Sequence, residues 1–173
     1  DAPSGVILTD APLPRTEYYD NGRTRAQGYV FTDKDTNTYR VGQWTTYFSN
    51  GFIEAVGWYE GGNKEGIWTN WFENGHVKSI GTFVHDVPSG KWVLFDESGA
   101  PQFGYYRNGV PDGAWTFWYT NGHKAAEGDY DLGKAVGKWY YYHPNGQLET
   151  KGRFKDGMRH GTRTYYDDAG RKV

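Results

Sequence analysis

The sequence predicts an all-β fold: a single elongated antiparallel sheet built from about seven tandem β-hairpins. Three observations carry this. Glycines at 42, 66, 90, 113, 137 and 161 open near-copies of one stretch, spaced 24, 24, 23, 24 and 24 residues apart, and a fixed period in this range marks a repeat architecture. Each copy joins two short aromatic, Thr-rich runs through a turn that is usually Asn-Gly, which is a hairpin signal. No window carries a helical period with caps.

Composition narrows the function classes. The 173 residues are only 36% hydrophobic but 18% aromatic, so the core is expected to be made of rings. The 25 glycines fall on the repeat lattice, which argues against disorder. A net charge of −2 with mixed signs disfavours a polyanion-binding surface and nucleic acid as a partner. With no cysteine, disulfides and thiolate metal sites are excluded. The chain starts at Asp1 without Met, as an exported bacterial protein trimmed after its signal peptide would, and as a cloned fragment would. A secreted, periplasmic or cell-surface location is the expectation.

Residues 1–16 precede the repeat and form an expected extended arm; residues 17–173 form the repeat domain. Three of the seven prolines flank Val6-Ile7-Leu8 in this arm. It reads either as a loose leader or as a strand, Val6 to Thr9, that pairs with a sheet edge. The first repeat enters at Glu17 and is followed by an insertion. Within it, Asp33-Lys34-Asp35-Thr36-Asn37 resembles the start of a calcium loop. Thr38 and Trp44 stand where that loop needs glycine and glutamate, so a solvated hairpin tip is the reading preferred.

From Gly42 the units are regular. Each begins Gly-x-Trp-x-x-aromatic and reaches its turn. It then runs to a second glycine (57, 81, 104, 128 or 152) followed by x-aromatic: Tyr59, Phe83, Tyr106, Tyr130 or Phe154. Rings that return in every unit, such as Trp44, Trp68, Trp92, Trp115 and Trp139, read as ladders stacking one hairpin on the next. The second ring, three residues on, falls on the opposite face of a flat strand. Either both faces are partly covered, or a bulge turns that ring inward.

These units resemble the bacterial variant of the MORN-type repeat family. The match rests on Gly-x-Trp-x-x-Tyr, Asn-Gly, Gly-x-Tyr and the closing Asp112-Gly113 and His160-Gly161. It covers roughly residues 17 to 170 and implies the same hairpin ladder. Members include membrane-associated scaffolds, dimerisation modules and antitoxin-like proteins, so the resemblance implies no single function.

Aromatics that vary between units are the binding candidates. Phe48, Phe72 and Tyr119 occupy a position where other units carry Asp96, His143 and Asp167, and Phe117 and Tyr141 lie two residues before it. Together they suggest an exposed ring-lined strip, with extension of the core as the alternative. No catalytic residue is expected. The five histidines share no clustering spacing, and Glu54, Glu127 and Glu149 read as edge charge, a glycosidase pair among them being the enzymatic alternative. A basic cluster of Lys151, Arg153, Lys155, Arg159, His160 and Arg163 is diluted by acidic neighbours, so a membrane partner is disfavoured.

The expectation is a non-enzymatic scaffold, needing no cofactor or metal, that binds a protein partner or copies of itself. Open sheet edges recruit further strands, and Arg163 in a tryptophan slot reads as a partial cap. The alternative is a carbohydrate or cell-wall module. Lys138-Trp139-Tyr140-Tyr141-Tyr142 with Asn145-Gly146 is also similar to choline- and glucan-binding repeats, whose period is shorter and whose Thr-Gly-Trp element is absent.

Overall fold

Short β-prone runs punctuated by glycine fold into strands joined by tight turns. The structure, a computed structural model that describes residues 11–173, shows fourteen strands and no helix among them. None of the described residues therefore forms a helix long and apolar enough to cross a membrane. The chain divides into two compact units, 1–87 and 88–173. The first holds β1 (Leu13–Tyr18), β2 (Thr24–Thr32), β3 (Thr38–Tyr47), β4 (Ile53–Glu60), β5 (Asn63–Trp71) and β6 (Val77–Val84). The boundary falls at the start of β7 (Val87–Phe95). The second continues with β8 (Pro101–Arg107), β9 (Val110–Pro111), β10 (Gly113–Trp118), β11 (Lys124–Asp131), β12 (Lys134–Tyr142), β13 (Leu148–Lys155) and β14 (Met158–Tyr165). Within each unit the strands pair antiparallel in chain order, with β9 a short extra partner of β8. Strand β1 takes in Leu13 to Thr16 as well as Glu17 and Tyr18. The expected strand at Val6 to Thr9 lies outside the described residues.

Two kinds of glycine build each unit, for different reasons. Gly57, on β4, is faced by three residues of β5: Val56 pairs with Thr69, and the next pair is Trp58 with Glu65. The excess is a bulge that begins at Gly66, whose φ of +67° an L side chain resists. That bulge swings Trp68 over Gly57. A Cβ on Gly57 would lie 2.1 Å from the indole, so only glycine leaves room. The same contact recurs for Gly28 under Trp44, Gly104 under Trp115 and Gly128 under Trp139.

A ladder of rings follows. In the first unit Tyr59 stands edge-on between Trp44 and Trp68, at centroid distances of 6.2 and 5.1 Å. In the second, Trp92, Tyr106, Trp115, Tyr130 and Trp139 alternate at 5.2–5.9 Å, within the favourable range for such pairs. Trp44, Trp68 and Trp115 also donate their indole N–H to the carbonyls of Tyr29, Trp58 and Tyr105.

Each unit also sets an arginine against its rings. The Arg40 guanidinium lies 4.1 Å from the Trp44 ring and donates to both carboxylate oxygens of Glu17. Burial pushes the Glu17 carboxyl up, but Arg40, helped by Arg25, outweighs it and leaves its pKa lowered. Arg163 occupies the tryptophan slot over Gly152, its guanidinium 5.5 Å from the Tyr141 ring.

A second bulge lies at the second ring of each regular hairpin. Asn70 pairs with Ser79 but Trp71 pairs with Val77, leaving Lys78 extra; Glu54, Ala125 and Glu149 are extra in the same way. In the β7–β8 hairpin Leu94–Gln102 is followed directly by Phe95–Pro101. That missing bulge residue is why one spacing is 23 instead of 24. The bulge does not turn the second ring inward. Tyr47 accepts from Gln27, and Tyr142 donates to Glu127, and both partners lie on the face opposite the tryptophans. Both faces are partly covered.

Candidate functional site

The two turn types divide the work differently from the sequence reading. Left-handed pairs, such as Gly61-Gly62 and Asn108-Gly109, lie in the loops that link one hairpin to the next. In the Asn-Gly turns inside the hairpins, at 21, 50, 74, 121 and 145, only the glycine is left-handed. Gly51 (φ +96°) closes a three-residue loop in which Phe48 accepts from Gly51 and donates to Phe52. The asparagine has two other tasks. Asn50 Oδ1 accepts from the Phe52 N–H, and its Nδ2 donates to the Glu73 carbonyl in the next turn. Asn121 and Asn145 repeat this with His123 and Pro144, and with Gln147 and Asp168. Asn121→Asp keeps the acceptor and loses the donor. It is expected to cost about 1 kcal/mol in urea denaturation, with native far-UV circular dichroism retained.

This accounts for the variable column at 48, 72 and 119. Where the turn has Asn, the column is a ring or His143. Where Ser98 or Ala169 replaces Asn, the column is Asp96 or Asp167. Those carboxylates accept the turn N–H groups themselves, from Ser98 and Ala100, and from Ala169 and Arg171. The rings that remain join neighbouring hairpins: Tyr119 donates to the Tyr142 carbonyl and Tyr19 to that of Tyr47. His143 Nε2 lies 3.0 Å from the Tyr166 carbonyl. Phe48, Phe72, Phe117, Tyr119 and Tyr141 are all half-buried. Phe117 and Tyr141 pack beside the ladder, at 6.1 Å from Trp115 and from Trp139. Phe72 lies under the Lys78 ammonium.

Titratable groups serve the same architecture. Asp33 accepts from the Asp35 and Asn37 N–H groups, the Asn37 amide and the Tyr39 hydroxyl, the bonds of a turn cap. Glu127 accepts from Lys124 and Tyr142. Burial, then this carboxylate, pushes the Tyr142 phenol up to about 12. Glu54 and Glu149 occupy bulge positions on separate hairpins.

Each stretch from the residue before a bulge to the next linking turn is thus one structural unit. Its start is marked by a rung: the Lys64, Pro111 and Ala135 carbonyls accept from Asp86, Gly133 and Gly157 in the following linking turn. The family model described as MORN repeat variant matches residues 64–85, 111–131 and 135–156. These are MORN-type repeats. Each matched stretch begins at such a rung residue and closes in the linking turn or on the strand just before it. The glycine–indole contact extends past the matched stretches, at Gly28 under Trp44 and at Gly104 under Trp115. No curated protein matches the chain.

In this ladder the residue after each second glycine points away from the tryptophans, because strand side chains alternate. On the first unit this face carries large apolar side chains that are exposed. Tyr29 is 51% exposed, Trp58 55%, Ile67 69% and Ile80 38%, and they lie on β2, β4, β5 and β6. Trp58 stands opposite Gln43 and Glu65, and Ile67 opposite Thr82. The sequence reading missed these residues. The signal available was parity counted from Gly57, which separates exposed Trp58 from buried Trp68.

Proposed function

We propose that the chain is a non-enzymatic scaffold that engages a protein partner, or a second copy of itself, through the open sheet face of its first unit. MORN-type repeats are a class associated with binding. The observation that carries the reading is the exposure of Tyr29, Trp58, Ile67 and Ile80 on one face. Large apolar side chains exposed together on one sheet face mark interaction sites, and tryptophan and tyrosine supply most of the energy in such contacts.

The expected result is that Trp58→Ser with Ile67→Ser weakens self-association or partner capture by about 2 kcal/mol or more. Sedimentation equilibrium and crosslinking in native extract read this, with thermal unfolding kept near that of the parent. A doubly substituted chain that associates as the parent does would overturn the reading.

A further inference from the structure

The face opposite the tryptophans changes character in the second unit. On β12, β13 and β14, Lys138 stands directly opposite Arg153, and Arg153 directly opposite His160. A second row, Tyr140, Lys151 and Thr164, runs beside it. Like charges facing each other across strands are destabilising, and among the described residues none of the hairpins at the same register position does this. The corresponding pairs are Gln43–Trp58, Ile67–Thr82, Lys91–Tyr105 and Ala114–Asp129. None of Lys138, Lys151, Arg153 and His160 belongs to an ion pair among the described residues. Two carboxylates of β11 share this face: Glu127, opposite Tyr140, is taken by Lys124 and Tyr142, and Asp129, opposite Ala114 and Val136, stands at the head of the Lys138 row, outside the cleft lining.

The cations border a cleft of about 470 Å³ whose lining includes Tyr140 and the Thr162 and Thr164 hydroxyls, and no carboxylate. The six-residue basic cluster suggested by the sequence does not stay together. Arg159 pairs with Phe154 on the ladder face and Arg163 fills the tryptophan slot there, whereas Lys138, not part of that cluster, joins the row.

We propose that this cleft binds an acidic oligosaccharide bearing one carboxylate or sulfate per sugar. The charges stand in a row, one strand or roughly 4.8 Å apart. They do not converge on a point, so the ligand they fit carries charges spaced along its length. Tyr140 offers a ring face on which a sugar can lie, and the threonine hydroxyls can exchange hydrogen bonds with its hydroxyls. The site is independent of the apolar face of the first unit, and either can fail without the other.

Isothermal titration with hexagalacturonate and with a sulfated hexasaccharide tests it, with cellohexaose and a single-stranded deoxyoligonucleotide as comparisons. At least one acidic sugar is expected to bind saturably, and cellohexaose not to bind. Arg153→Ser and, separately, Arg153→Gln are expected to weaken binding about tenfold, while Lys91→Ser leaves it unchanged. Absence of saturable binding by both acidic sugars would overturn the proposal. So would equal or tighter binding of the oligonucleotide, or parent-like affinity in both folded Arg153 variants.

Discussion

Replacing Trp68 by alanine is expected to remove about 3–5 kcal/mol of unfolding free energy, while the same change at Trp58 costs within about 0.5 kcal/mol. The two tryptophans are ten residues apart and both belong to the first unit. Trp68 is 1% exposed, fills the space over Gly57, meets Tyr59 and Phe83 edge-on, and donates its N–H to the Trp58 carbonyl. Its removal leaves a cavity that a sheet cannot close, because the strand spacing is set by backbone hydrogen bonds. It also removes the ring that faces the Lys64 ammonium, 4.4 Å away. Trp58 contributes its carbonyl to the ladder, which alanine retains. Urea denaturation followed by circular dichroism compares the two, and equal costs would mean that the ladder does not hold the unit together.

Gly57→Ala is expected to cost about 1–3 kcal/mol through overpacking, although alanine suits a strand better than glycine does. Its Cβ would meet the indole of Trp68 at 2.1–2.5 Å, so the ring must move and loses its contacts with Tyr59. Gly66→Ala is the informative comparison. There a Cβ meets open space, but φ is +67°, and the cost is conformational, about 1–2 kcal/mol. Asparagine at 66 tolerates that conformation better than alanine, whereas asparagine at 57 clashes as alanine does. Denaturation midpoints of the four variants separate space from backbone conformation as the reason for each glycine.

The hairpin order was legible because period, tryptophan and glycine recur together, and each has a local physical meaning. The 23-residue spacing was visible too, but its meaning depends on which residues pair, since what is lost is the bulge residue between Gln102 and Pro101. The column at 48, 72 and 119 was legible as variable, but the local reason for its variation depends on the turn bonds. The variation follows which side chain closes the turn, and the exchange of Asn74 or Asn121 for Ser98 with Asp96 was there to be read. The exposed faces were the hardest part. Two bulges per unit interrupt the alternation, so the face of Trp58, Ile67 or Arg153 follows only once the bulges are placed. The same parity splits Arg159 and Arg163 from Arg153.

The central claim is that, within each unit, one hairpin is fastened to the next by an indole seated on a glycine. A double-mutant cycle between Gly57 and Trp68, read by equilibrium denaturation, tests it most directly. Once Trp68 is Leu, the methyl of Gly57→Ala has room, and the two changes are expected to couple favourably by at least about 1 kcal/mol. Additivity within about 0.5 kcal/mol would contradict the claim.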